Sequence, residues 1–519
     1  MRKEAIIIGV LLGLLASCNK PAVQELYYSE AYRPQFHFSP DSMWMNDPNG
    51  MVFYDGEYHL FYQYHPYSNV WGPMHWGHAI TSDLVHWEHL PVALYPDSLG
   101  TIFSGSAVID WNNSSGLGSL ENPPMVAIFT HHNPSLEKSG SNQFQYQSIA
   151  YSLDRGRSWT KYPGNPVLEN PGIRDFRDPK VSWYEGEQKW IMVFAAQDRI
   201  LFYSSPDLIQ WNKESEFTAE RPPGEGVWEC PDFFPLTSGG EEKWVLIVSI
   251  GDGGPNGGSG TKYYIGEFDG KQFVSDDPPG AVHWIDYGKD NYAGVSWSDI
   301  PEKDGRRIFL GWMSNWQYAQ NVPSLKWKSA MTLPRELRLK QDQEGYFLRS
   351  VPVTETEHLR AEQIILEPGP VMDRKNVGPN SEETYPLYEI DLVFQFDPGE
   401  EENVEFGIVL ESKLEEQLIA AFNLRNQQVF ISRDQSGSTA FSEHFPGLHA
   451  APYQVSKAGE IRFHAFVDLS SVELFVDDGA LVITELCFPE SGYEKIHLYS
   501  NTESVLLKRG EIHRLKSIW

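Results

Sequence analysis

Three acid-bearing triplets stand out in the sequence: Asn46-Asp47-Pro48, Arg177-Asp178-Pro179 and Glu229-Cys230-Pro231. Each stands immediately ahead of a short β-branched and aromatic run, so the three carboxylates hold equivalent places in a repeating pattern. A pair of carboxylates can cleave a glycosidic bond: one attacks or activates water, and the other, kept protonated, releases the leaving oxygen. The neighbours suit that chemistry. Trp44, Trp71, Trp76, Phe103 and Trp228 offer apolar faces for sugar rings, and Asn46, Gln63, Ser104 and Arg177 offer donors for hydroxyl groups. Alone, Asp47 reads as an ordinary turn aspartate before Pro. Three equivalent placements argue against that reading. Other chemistries find no support. His75 and His78 are three apart on a strand and face opposite ways, adjacent His131 and His132 fail likewise as metal ligands, and all four read as ordinary hydrogen-bonded histidines. With neither a nucleophile elbow nor a phosphate loop, the reading calls for no metal and no cofactor.

The elements that must position these acids are strands. Met51 to Tyr54 turns through Asp55-Gly56 into Tyr58 to Tyr62, a hairpin whose Asp-Gly supports the positive φ angles of a type I′ turn. The unit recurs at Ser106–Phe129, Val181–Phe194, Phe233–Val248 and near Asp304–Trp312, at intervals of about 50 to 75 residues, in the range of four-stranded repeats. A second motif keeps the rhythm: Thr81 to Trp87 and Ser205 to Trp211 share the pattern [ST]-x-D-L-[VI]-x-W, in which the Asp folds back on its own backbone and the Trp plugs the core. These repeats predict an all-β chain whose first part is a five-bladed β-propeller. If the first strand of each repeat is innermost, the three acids meet at one mouth of the central channel. After about residue 340 the rhythm stops. Val351 to Asn380 reads as a linker, and strand-sized runs from Ile390 to Phe488 suit a β-sandwich.

Composition narrows the partners. A net charge of −30 over 519 residues is the wrong sign for gripping nucleic acid or an anionic membrane surface. At the N-terminus, Arg2 and Lys3 precede an apolar run from Ala5 to Ala16 too short for a stable anchor, followed by Leu15-Ala16-Ser17-Cys18, which resembles a bacterial lipobox. Cys18 is then the lipid attachment residue, and the chain is lipid-anchored in a Gram-negative envelope, periplasmic or at the cell surface. Cys230 and Cys487 are too few for a disulfide framework. The expected layout is a lipoprotein signal peptide (1–17), a tether (18–30), a propeller (31–345), a linker (346–380) and a sandwich (381–519).

Trp44 to Gly50, Phe61 to Tyr64, Phe103 to Ala107, Phe176 to Pro179 and Trp228 to Pro231, with Met331 to Leu337 and Val472 to Gly479 further on, resemble the β-fructofuranosidases of glycoside hydrolase family 32. That resemblance implies a five-bladed propeller with a C-terminal sandwich, and a retaining hydrolysis of β-fructofuranosidic bonds in levan, inulin or sucrose. It implies Asp47 as nucleophile, Glu229 as general acid/base and Asp178 as transition-state stabiliser, with Arg177 keeping Asp178 ionised. Substrate contacts implied are Trp44, Asn46, Gln63, Trp71, Phe103, Ser104, Arg177 and Trp316. The stretches Trp71 to His78 and Gly311 to Tyr318 look most like exo-acting members; an endo-levanase is the alternative. Two other classes are weaker. Ser152 to Trp159 matches the Asp-box of sialidases, but the chain lacks an evident arginine cluster for an anionic sugar. A noncatalytic fructan-binding lipoprotein would have no use for a proton donor.

Overall fold

The computed structural model describes residues 28–343, 345–379, 386–399, 403–455 and 458–519. Cys18 and the signal segment lie outside these residues. Among those described, five antiparallel sheets form the blades of a propeller: residues 43–94, 101–161, 176–217, 228–275 and 292–352. The innermost strands are Met43–Tyr54, Thr101–Ile109, Phe176–Tyr184, Trp228–Ser238 and Tyr292–Ser296. Asp55 and Gly56 both take positive φ, as a type I′ turn requires. The Asp-Leu turns also form as read: Asp83 accepts from the amides of Val85 and His86, and Asp207 from those of Ile209 and Gln210. The ring closes where Trp327–Lys328, a short strand from the fifth repeat, pairs in parallel with Met43 and Trp44 of the first blade. Apolar side chains fill the spaces between blades, such as Ile191, Phe202, Phe233 and Leu246 between the third and fourth.

Residues 346–380 are not the expected linker. Tyr346–Pro352 is the outermost strand of the fifth blade, paired with Arg335–Gln341. After one 3-10 turn, Thr354–Leu359, the strand Arg360–Leu366 already belongs to the sandwich, paired with Leu506–Leu515. The charge and the Pro and Gly of this segment reflect exposed edge strands, which favour such residues. The sandwich packs two sheets face to face over a core that includes Ile390, Leu392, Phe394, Phe406, Ile408 and Leu474.

Buried ions rivet the two parts together. Arg335 of the fifth blade hydrogen-bonds Asp286 Oδ2 at 2.8 Å and, in the sandwich, Glu473 and Thr484 Oγ1. His37 bridges Asp468 Oδ2 and Glu473 Oε1, each at 2.8 Å. Burial pushes the His37 imidazole down, but its bonds to Asp468 and Glu473 prevail and raise it to about 9. A folded-state value above the unfolded one gives stability that is complete below about pH 6.5 and is lost as pH rises through 9. We therefore expect His37→Gln to lower unfolding free energy at pH 6 by roughly 2–4 kcal/mol. In urea titrations the difference from the parent protein should fade by pH 9.5.

Candidate active site

All five innermost strands share one irregularity. Against its neighbour, each carries one extra residue at the same end of the channel: between Met45 and Pro48, Ile102 and Gly105, Arg177 and Lys180, Glu229 and Asp232, and Tyr292 and Val295. Such bulges bend a strand and re-aim its side chains. Asn46, Asp47, Phe103, Ser104, Asp178 and Cys230 lie inside them, and Arg177, Glu229 and Tyr292 flank them. The acids therefore sit within the first strands, not ahead of them as the sequence suggested. Pro179 and Pro231 fit positions where no ladder amide is needed. Asp178 (φ 63°) and Cys230 (φ 44°) adopt the left-handed region, a strain that the surrounding bonds must hold.

Asp47, Asp178 and Glu229 converge on one cavity of about 310 Å³. Asp47 Oδ2 accepts from Ser104 Oγ at 2.8 Å and Oδ1 from Asn46 Nδ2 at 2.9 Å. Asp178 Oδ2 accepts from the Cys230 amide at 3.1 Å. The Cys230 thiol lies 3.5 Å from Asp47 Oδ2 and 3.7 Å from Asp178 Oδ2, so these two acids share a neighbour. Glu229 has both oxygens engaged: Oε1 accepts from Arg177 Nη2 at 2.7 Å, and Oε2 from the Tyr292 hydroxyl.

Burial, then the proximity of Glu229, raises the Asp47 carboxyl above its ordinary value, while the bonds from Asn46 and Ser104 hold it back. Asp178 is pushed up to about 7, chiefly by burial and further by Glu229 and Asp47, against the opposing pull of Arg177. Arg177 thus does not suffice to give Asp178 an ordinary acidity. Its Nε is 3.7 Å from Asp178, and its short bonds go to Glu229 and Asp175.

The structure sorts the remaining residues. Asn46, Gln63, Trp71, Phe103, Ser104, Arg177 and Trp316 line the cavity, and Gln63 Nε2 is buried without a protein partner. Trp44 is wholly buried and does not reach it; its indole donates to Asn46 Oδ1 at 2.7 Å and stacks on Trp316. Trp76 and Trp228 offer no face to a sugar either. Trp76 packs between blades against Phe61 and Phe129, and Trp228 turns away to donate to Glu225. His132 is hydrogen-bonded as expected, to Gln145 and Glu137, but it also stacks on Phe103, with ring centroids 4.3 Å apart, and lines the cavity. Tyr292 was missed as well. Relative to the bulge, it holds in the fifth repeat the place that Glu229 holds in the fourth, which was the available signal.

A five-bladed propeller with three acids at one mouth and an aromatic rim defines a glycoside hydrolase. The chain belongs to glycosyl hydrolases family 32, whose N-terminal domain matches residues 37–350 and whose C-terminal domain matches residues 355–514. It is 48% identical to a levanase of Bacillus subtilis over its whole length and 76% of that protein. It is 36% identical to an extracellular exo-inulinase of Aspergillus awamori, covering 99% of both chains. The crystal structure of exo-inulinase from that fungus superimposes with a TM-score of 0.85 over 95% of this chain and 100% of the other.

Because Asp178 binds its proton more tightly folded than unfolded, its ionisation opposes folding as pH rises through about 7. Asp178→Asn should therefore raise unfolding free energy at pH 8 by about 1–3 kcal/mol. The gain should vanish near pH 4, as thermal denaturation at the two pH values will show.

Proposed function

We propose that this enzyme releases fructose from the non-reducing end of levan or inulin, and cleaves sucrose, by double displacement. The observation that carries the reading is the convergence of Asp47, Asp178 and Glu229, from three blades, on one small cavity. The relatives named levanase and exo-inulinase support the substrate class.

In the first step an Asp47 oxygen attacks the anomeric carbon of the terminal fructosyl unit while Glu229 passes its proton to the leaving oxygen. Water then enters, gives a proton to Glu229 and displaces Asp47, restoring both groups. Ser104 and Asn46 fix the orientation of the attacking carboxylate. Arg177 and Tyr292 hold Glu229 in place. Asp178 accepts from fructose hydroxyls, with contacts that strengthen as positive charge builds on the ring. An endo-acting levanase is the alternative. The likeness to a protein named exo-inulinase over 99% of both chains supports release of single terminal units.

Asp47→Asn and Glu229→Gln should each lower kcat at least a thousandfold, about 4 kcal/mol of barrier, with the fold intact by circular dichroism. Chromatography of inulin, levan and sucrose digests should give fructose as the first product, and proton NMR in the first minutes should show the β anomer. Near-parental turnover in either variant refutes the roles, early α anomer refutes the double displacement, and early oligosaccharides favour endo action.

The reading extends to the leader. Signal cleavage leaves a diacylated Cys18 that tethers the enzyme to a Gram-negative envelope without spanning the membrane. Radiolabelled palmitate should enter the parent protein and not Cys18→Ala; equal labelling of both, or of neither, rejects the anchor.

A further inference from the structure

Outside the cavity, large exposed aromatic side chains gather on the first blade at the same end of the channel. Tyr67 is 74% exposed, Tyr95 51% and Trp71 43%. All three stand on connections at this end: Tyr67 and Trp71 between Glu57–His65 and His75–Thr81, and Tyr95 just after Glu88–Leu94. Trp71 belongs to the cavity rim, edge-on to Phe103 at 6.3 Å. The two tyrosines lie outside the cavity lining, Tyr67 on the same connection as Trp71.

These rings are braced. His75, only 4% exposed, presents its ring to both tyrosines, to Tyr67 at 5.6 Å and 77° and to Tyr95 at 5.5 Å and 81°. It is fixed in turn by a hydrogen bond between Nδ1 and the Pro73 carbonyl at 3.0 Å. On the other side Tyr67 meets the ring of His65, which bonds the Val70 carbonyl at 3.0 Å. His65 also presses so close to Gly72 that a Cβ there would lie 2.4 Å from it. The Trp71 loop and both tyrosines therefore interlock through two histidines. Beside Tyr95, Lys161 and Asp97 supply a polar edge.

A braced and exposed aromatic surface suits a ligand with an apolar face and a polar periphery. The position of this one selects the occupant. When the terminal unit of a polymer fills the cavity, the rest of the chain must leave through the mouth, and the ridge begins at that mouth. The sugar must also be uncharged or nearly so, since a chain of net charge −30 disfavours a polyanion. We propose that the Tyr67–Tyr95 ridge binds the successive fructosyl units of a polymeric fructan whose terminal unit occupies the cavity, an inference that rests on the fructan-hydrolase reading above. Stacking there holds the polymer without entering the bond-breaking step. It lowers KM for long chains and leaves kcat unchanged.

The test is Tyr67→Ala/Tyr95→Ala assayed on inulin and levan of graded length and on fructosyl disaccharides. KM for the polymers should rise about five- to tenfold at unchanged kcat, whereas kcat and KM for the disaccharides should stay within twofold of the parent. Tyr67→Phe/Tyr95→Phe, which keeps the rings, should retain the parental polymer KM. An unchanged polymer KM in the alanine variant, or an equal loss on disaccharides, overturns the proposal. Retardation of inulin and levan in native gels separates binding from turnover. On the Glu229→Gln background the alanine variant should lose retardation; if it does not, the ridge is refuted. If the parent protein cleaves no fructan or sucrose at all, it is the function that fails, and the gel still decides the ridge.

Discussion

One extra residue in each innermost strand is the feature on which the site depends. A regular strand alternates its side chains strictly, so a residue at the channel mouth would point either into one blade interface or into the other. The bulge breaks that alternation at one height in all five blades and aims Asp47, Ser104, Asp178 and Cys230 toward the common axis. The arrangement is costly by itself, since it forfeits ladder bonds and puts Asp178 and Cys230 at positive φ. Bonds between blades offset the loss: the Asp178 amide donates to Thr130 Oγ1 at 3.0 Å, and the Trp228 amide to the Gln197 carbonyl at 2.8 Å.

The same geometry explains the electrostatics. One guanidinium, that of Arg177, lies within 4 Å of three carboxylates, those of Asp175, Asp178 and Glu229. Arg177 divides its donors between Glu229 and Asp175, and Asp178 is left with an amide and a thiol as near neighbours. Glu229 contributes to raising both Asp47 and Asp178, so replacing it alters the acidity of those two.

The period of the fold and the convergence of three acids were legible because both are written in local patterns: hairpin turns, Asp-Leu turns, and an acid beside the β-run in three of the five repeats. What a side chain faces was less so. Trp71 and Trp316 do line the cavity, yet Trp76 and Trp228 stand beside equally suggestive neighbours and serve as core. Their direction is set by the next blade, which is remote in sequence. Trp228, for example, turns away because Glu225 and the Lys262 ammonium wait on that side. His132 was discounted as half of a poor metal pair, although the relevant partner is Phe103, across a blade interface. The supposed linker failed for a different reason. Edge strands carry the charges and prolines of a loop, and only their pairing distinguishes them.

Among the described residues no hydrogen bond or ion pair joins the sandwich to the cavity lining, yet the sandwich anchors the segment that leads into the fifth blade, and with it Tyr292 and the cavity residue Trp316. Asp286 Oδ1 accepts from the Thr484 amide at 2.9 Å, and Asp290 Oδ2 from the Leu486 amide at 2.8 Å and from Arg433 Nη1 at 2.6 Å, all three donors in the sandwich. Tyr292, which holds Glu229, comes two residues after Asp290. Asn315 Nδ2 reaches the Lys289 carbonyl at 2.9 Å, and Tyr318 donates to Asp290 at 2.7 Å, so the turn bearing Trp316 hangs from the same anchor. The fifth blade needs such support. Its innermost strand spans only Tyr292–Ser296, against the twelve residues of Met43–Tyr54 in the first. A short inner strand has few ladder bonds with which to hold a bulge, and the buried ions of the domain interface replace them. The second domain thus completes the first: it supplies the rigidity that the fifth blade cannot generate, at the place where a loose Tyr292 would release Glu229.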